Sequence, residues 1–259
     1  MKVVVIIPAR YSSTRFPGKV LAPIAGKPMI QRVWERSSTA SLIDEAVIAT
    51  DDDRVFEAVE SFGGKAVMTN PEHKSGTERC SEAAEKLDAD IVVNVQGDEP
   101  LINPESLDLV VDPLVANESL GMSSLKFPIG TYKDYIDPNI VKVVCDDQEN
   151  AIYFSRAPIP HYRDSRDLVE SWKGGSPLPA DLLPPPMKHI GVYAYRTGFL
   201  QAMARMPAAP IEEAEKLEQL RVLSWGFKIR MVTTPHDSVS IDVPGDVDKV
   251  ERIIAESGG

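Results

Sequence analysis

The chain is short of cysteine, of positive charge and of long apolar runs. Its two cysteines, Cys80 and Cys145, make neither a disulfide framework nor a metal cluster, and read as two reduced, buried thiols. Lysine and arginine number 28 against 39 acidic residues, a net charge of −11. A global field of that sign disfavours nonspecific binding of nucleic acid or anionic membranes. No apolar stretch approaches the ~20 residues of a membrane-spanning helix. The N-terminal apolar run is too short for a signal-peptide core and meets Pro8 and Arg10 directly, so a cytoplasmic location is expected. The first loop also lacks the Gly-x-x-x-x-Gly-Lys-Ser/Thr spacing of a P-loop and the Gly-x-Gly-x-x-Gly of a dinucleotide fold. Those absences point away from P-loop kinases and dehydrogenases.

What stands there instead is a β-branched run, Val3-Val4-Val5-Ile6-Ile7, ending at a loop with three cations, Arg10, Arg15 and Lys19. A buried strand that delivers fixed positive charge to the carboxyl edge of a sheet is a phosphate site of α/β proteins. Arginine forks match phosphate oxygens bidentately and a lysine acts as a point charge. Pro17-Gly18 shapes the turn that aims Lys19, the group expected to neutralise charge on a transferring phosphoryl. Nucleotidyl transfer is the chemistry indicated, although a merely solvated basic loop has the same composition.

Strand and helix patterns alternate through the first half. Strands are expected at 2–7, 45–50, 66–68 and 90–95, with helices at 28–38, 54–62 and 77–87. That alternation predicts an α/β fold, a mostly parallel mixed sheet with helices on both faces. After residue 112 the pattern changes. Antiparallel strands at 141–145 and 151–154 mark a small inserted subdomain, and residues 161–188 are polar and rich in proline and glycine, either a mobile lid or a plain connector. A strand at 190–195, a helix at 211–223, a strand at 228–232 and a helix at 247–256 complete the reading. One domain spans 1–259, and about 113–195 contains the insertion.

Asp98 follows a buried strand and the Gln96-Gly97 pair. A carboxylate there suits Mg²⁺, which takes one or two carboxylates and leaves room for phosphate oxygens. It could equally cap the turn before Pro100. Asp242, just beyond another apolar segment, is the second candidate metal ligand. Ser75-Gly76-Thr77-Glu78-Arg79 is either a plain helix cap or a helix N-terminus facing an anionic ligand, with Arg79 adding charge. An acidic sugar would need an arginine and several hydroxyl readers. Arg156, His189 and Tyr193 supply those types on strand-like segments, and Glu218-Gln219 could join them or face solvent from a helix.

The stretches IIPARYSSTRFPGK (6–19), ATDDD (49–53), SGTER (75–79), VNVQGDEP (93–100), VKVV (141–144), YFSRAPIP (153–160), KHIGVYAYR (188–196) and LEQLRVL (217–223) together resemble the 3-deoxy-manno-octulosonate cytidylyltransferases, the CMP-Kdo synthetases. The resemblance implies a nucleotide-diphospho-sugar transferase fold, a homodimer, Mg²⁺ dependence, and the reaction CTP + Kdo → CMP-Kdo + pyrophosphate for lipopolysaccharide assembly. It implies that Arg10, Arg15 and Lys19 hold the triphosphate, that Ser13, Ser75, Arg79 and Gln96 line the nucleotide site, and that Asp98 and Asp242 bind Mg²⁺. Arg156, His189, Tyr193, Glu218 and Gln219 would read the sugar, with the insertion serving sugar binding or dimerisation. The turn Ile241-Asp242-Val243-Pro244 departs from the family's usual Val-Asp-Thr-Pro but keeps the aspartate. Other acidic sugars, such as 8-amino-Kdo or a sialic acid, and a catalytically silent nucleotide-binding role on the same fold are the alternatives.

Overall fold

The computed structural model describes residues 1–12 and 16–256. Its strands are β1 (Val3–Ala9), β2 (Pro23–Ile24), β3 (Lys27–Pro28), β4 (Glu45–Thr50), β5 (Lys65–Met68), β6 (Ile91–Asn94), β7 (Met122–Pro128), β8 (Lys142–Cys145), β9 (Ala151–Ser155), β10 (Met187–Arg196) and β11 (Arg230–Thr233). Its helices are α1 (Met29–Ser37), α2 (Asp53–Ser61), α3 (Gly76–Leu87), α4 (Pro104–Ala116) and α5 (Tyr132–Ile136). They continue with α6 (Arg166–Lys173), α7 (Thr197–Arg205), α8 (Pro210–Glu215), α9 (Leu220–Ser224) and α10 (Asp246–Glu256). Among the described residues no helix is long and apolar enough to cross a membrane.

The main sheet runs β11-β7-β10-β6-β1-β4-β5, with β8 and β9 branching from β10, and β2-β3 form a separate small ribbon. β1 pairs parallel with β4 and β6, and β4 pairs parallel with β5. β10 runs antiparallel to β6, β7 and β8. A continuous apolar run is what a strand buried on both faces requires, and β1 sits centrally with alternate residues in separate cores. Val3, Val5 and Ile7 pack with Ile30, Val33, Val55 and Val110 from α1, α2 and α4. Val4 and Ile6 pack with Cys80, Ala83, Leu200 and Met203 from α3 and α7. Helices therefore cover both faces, as the alternation predicts. Local caps set their starts. Asp52, Ser75 and Asn103 each accept a backbone N–H of the helix they open, α2, α3 and α4.

Two expectations give way to tertiary contacts. The helix expected at 211–223 is two short helices, because Lys216 adopts a left-handed backbone (φ 54°). Glu215 is drawn out of line by the Ser155 hydroxyl (2.6 Å), the Tyr153 hydroxyl (3.2 Å) and the Arg156 backbone N–H (2.9 Å). Arg221 then spans the break to Glu212 with a two-pronged ion pair (2.8 and 2.6 Å). Second, residues 161–188 are not a plain connector. They contain α6, and Trp172 and Leu182 are buried against Ile129 and Tyr135 in a small core of their own. Within 113–195, β7 and β10 belong to the main sheet, and the chain leaves that sheet between them. β7 is hidden in the sequence because its inward residues include Ser123, Ser124 and Lys126, all buried.

Candidate active site

Two depressions share a wall at the carboxyl edge of β1 and β6. The smaller, about 200 Å³, is lined by Arg10, Ser12, Lys19 and Asp98. The larger, about 570 Å³, is lined by Glu99, Arg156, His189, Tyr193, Glu218 and Gln219 among others. Gly76 and Gln96 line both. The close fit at the seam depends on Gly97, where an added Cβ would stand 3.1 Å from the Pro8 carbonyl oxygen.

Lys19 enters through a turn in which Gly18 has φ 69°, a conformation favouring glycine. Its ammonium lies 2.6 Å from Asp98 Oδ2, 3.0 Å from the Ile241 carbonyl and 3.7 Å from Asp242 Oδ1. The Ile241 N–H in turn donates to the Asp98 carbonyl (2.9 Å). Asp246 accepts from the backbone N–H groups of Asp242 (2.8 Å) and Val243 (3.0 Å), which sets the turn carrying Asp242. Two carboxylates far apart in sequence thus converge on one cation. Among the described residues no cluster of three or more His, Cys, Asp or Glu side chains could hold a metal. The Asp98–Asp242 pair nevertheless fits Mg²⁺. Both donors are hard oxygens, the Lys19 ammonium shows that positive charge is accommodated between them, and a magnesium ion completes its shell with phosphate and water.

Arg10 reaches the His73 carbonyl through Nη2, tying the first loop to the segment before α3. Ser75 caps α3 by accepting the Glu78 N–H (3.2 Å). Gln96 lies in the seam. Ser13 and Arg15 lie outside the described residues. Arg79 is not brought to either depression. It is fully buried and pairs with Asp51 (2.6 Å) and the Thr69 hydroxyl, so the reading in which it adds charge to the ligand site is corrected. It points inward because position 79 falls on the face of α3 that also buries Cys80 and Ala83.

The five residues expected to read a sugar do share the larger cavity. Arg156 is anchored by its Nε to the Glu215 carbonyl (2.8 Å) and by Nη1 to the Pro138 carbonyl (3.0 Å). The break between α8 and α9 turns Glu218 and Gln219 inward, so the solvent-facing reading of that pair fails. Glu218 accepts from the Thr77 hydroxyl (2.7 Å), and burial pushes its carboxyl above the usual range. Burial, reinforced by Glu218 and Glu99, also pushes the Tyr193 phenol well up. Glu99 escaped the sequence reading. It lies in the same cavity, and burial together with the Asp98 carboxylate pushes it up to about 7.

His189 stands in the cavity wall, its Nε2 2.9 Å from the Ser124 hydroxyl and its ring against Phe154 and Tyr193. Burial pushes its imidazole down to about 3. The unfolded chain binds a proton near pH 6.5 that the folded chain refuses, so stability is full above that pH and falls as pH drops from 6.5 towards 3. His189→Gln should remove about 2 kcal/mol of the stability difference between pH 7 and pH 5. Urea unfolding of both proteins at the two pH values checks this, and equal pH dependence would refute it.

The carboxyl edge of this α/β sheet thus holds a cation-lined cleft opening on a polar cavity, an arrangement suited to the transfer of a nucleotidyl group to a polar acceptor. The comparisons agree. A family model described as "Cytidylyltransferase" matches residues 4–229, and the chain belongs to that family. It is 53% identical over 252 residues to the 3-deoxy-manno-octulosonate cytidylyltransferase of Geobacter metallireducens, covering 96% of each chain. With the enzyme of the same name from Geotalea daltonii the identity is 49%, covering 100% of each. A solved structure of CMP:2-keto-3-deoxy-manno-octonic acid synthetase complexed with CTP superposes with a TM-score of 0.89 at 39% identity, over 99% of this chain and 100% of that one.

Proposed function

We propose that the chain transfers a cytidylyl group from CTP to 3-deoxy-manno-octulosonate, releasing pyrophosphate and giving CMP-Kdo for lipopolysaccharide assembly. The observation that carries this reading is the shared wall. Gly76 and Gln96 line both the cleft holding Lys19 and the cavity holding Arg156, so a triphosphate and an acidic acceptor can meet there. In this mechanism the acceptor's anomeric hydroxyl attacks the α-phosphorus in line. Lys19 stabilises the charge that develops on the phosphoryl oxygens, and Arg10 holds the triphosphate. Arg156 offsets the acceptor's carboxylate, and the cavity's hydrogen-bonding groups orient its hydroxyls. Positioning and electrostatics then account for the rate without a covalent intermediate. Asp98 and Asp242 would hold Mg²⁺, whose charge offsets repulsion between an anionic acceptor and a triphosphate. A homodimer and a cytoplasmic location complete the reading.

Pyrophosphate release from CTP, measured with and without Mg²⁺ and with Kdo, 8-amino-Kdo or a sialic acid as acceptor, tests it. Metal-dependent release with Kdo supports the reading. Release only with another acid keeps the chemistry and removes the sugar assignment. CTP binding with no release under any condition leaves a silent nucleotide-binding protein.

A further inference from the structure

Gln96–Glu99 form a turn closed by the Glu99 N–H donating to the Gln96 carbonyl (3.3 Å). The turn divides its two carboxylates between the two depressions. Asp98 faces the small cleft and Lys19, whereas Glu99 lines the large cavity and is only 6% exposed. The Ser238 hydroxyl approaches this carboxyl, but its Oε2 is buried with no hydrogen-bond partner among the described residues. A second unpartnered group shares that cavity: Gln219 Nε2, on a side chain 4% exposed. One is an acceptor and the other a donor, and they do not bond to each other. Buried polar groups of a native protein are normally paired, and an orphan is a standing penalty. Two orphans of opposite kind facing one cavity mark the groups that a ligand satisfies. A hydroxyl, which donates and accepts at once, is the chemistry that satisfies both. Gly191, at the register slip of β10, leaves the backbone lying against Glu99, where an added Cβ would come within 3.8 Å of Oε1.

We infer that Glu99 is a specificity-determining residue of the acceptor cavity: its free carboxyl oxygen accepts a hydrogen bond from one particular hydroxyl of a polyhydroxylated acid, working opposite Gln219. The inference rests on the proposed transfer reaction and adds to it the group by which a deoxygenated acid is rejected. A site built to bond a hydroxyl leaves its buried partner unpaired when that hydroxyl is missing, so discrimination follows from the penalty.

The test compares wild type, Glu99→Gln and Glu99→Leu in steady-state pyrophosphate release, with Kdo and with analogues each lacking one hydroxyl. Glu99→Leu should raise the acceptor KM by roughly 10- to 100-fold, the range for leaving a buried hydroxyl without its hydrogen-bond partner. The KM for CTP should stay within about twofold, since Glu99 lies outside the small cleft. Glu99→Gln, which retains an amide oxygen as acceptor, should lie between. With one analogue, and only one, wild type and Glu99→Leu should converge, because the bond is already missing. Equal penalties on every analogue, or a CTP KM rising in step with the acceptor KM, would overturn the inference and mark Glu99 as structural. If Glu99→Leu does not fold, the same comparison made with Glu99→Gln decides. Failure of wild type to turn over or bind Kdo removes the reaction itself, a result distinct from a wild-type enzyme that Glu99 variants leave unchanged.

Discussion

Lys19→Ala should lower the rate of pyrophosphate release by about 10²–10³-fold, the loss seen when one preorganised donor to a developing negative charge is deleted. The ammonium is well placed for this task. Asp98, the Ile241 carbonyl and the nearby Asp242 hold it at the floor of the phosphate-sized cleft, and its side chain is 13% exposed. A charge already fixed where phosphoryl oxygens will stand needs no reorganisation during reaction. The loss should appear in kcat more than in the KM for CTP, because the charge it answers grows only in the transition state. Lys19→Arg should recover only part of the rate. A guanidinium keeps the charge, but its planar fork cannot occupy the compact position between Asp98 and the Ile241 carbonyl. Single-turnover kinetics on folded protein check both. Turnover of Lys19→Ala within threefold of wild type would take Lys19 out of the chemistry.

The parts of the fold that could be read from the chain are those where one physical rule acts alone. β1 is an unbroken apolar run, α2 stops at Gly63-Gly64, α3 begins at a capping serine, and the Asp98 turn follows a buried strand, so their positions are legible. β7 is not, because its inward positions carry Ser123, Ser124 and Lys126. Each is buried by a tertiary partner that no local pattern announces: the Val110 carbonyl, the Val192 carbonyl (2.8 Å) and Glu149. Asp98 and Asp242 each follow an apolar segment, but their meeting is not legible in the chain: it depends on the Ile241-to-Asp98 backbone bond and on Lys19, which reaches both carboxylates. The inward turn of Glu218 and Gln219 depends on Glu215 being held by β9 and Arg156. That contact overrides the helical spacing of 211–223. Glu99 escaped notice because it adjoins a more conspicuous carboxylate, and only the turn geometry shows that neighbours in sequence face different depressions. The proline-rich 161–188 segment looked coreless because its apolar partners, Ile129 and Tyr135, lie outside it.

Arg79 separates two readings of one residue, and its replacement should carry a large stability effect. Arg79→Met should destabilise the fold by about 3 kcal/mol, the low end of the 3–5 kcal/mol typical when one partner of a buried ion pair is removed. The side chain is 0% exposed, its Asp51 partner is 17% exposed, and their 2.6 Å contact links α3 to the end of β4. The Thr69 hydroxyl shares the guanidinium. Deleting the arginine strands Asp51 with its charge and little water, and that penalty sets the size of the effect. For a chain of this length the midpoint of thermal unfolding should fall by roughly 10 °C. Added salt should change the loss little, since a pair this enclosed is weakly screened. Replacing both partners, Arg79→Met with Asp51→Leu, should cost less than the sum of the single changes, because no charge is then left unpaired. Denaturant unfolding of the four proteins measures each quantity. A loss under 1 kcal/mol, together with a raised KM for CTP, would return Arg79 to the nucleotide site. A large loss with strong coupling to Asp51 would mark the arginine of the SGTER stretch as structural, an anchor for the segment whose Thr69 end it holds and whose His73 carbonyl receives Arg10.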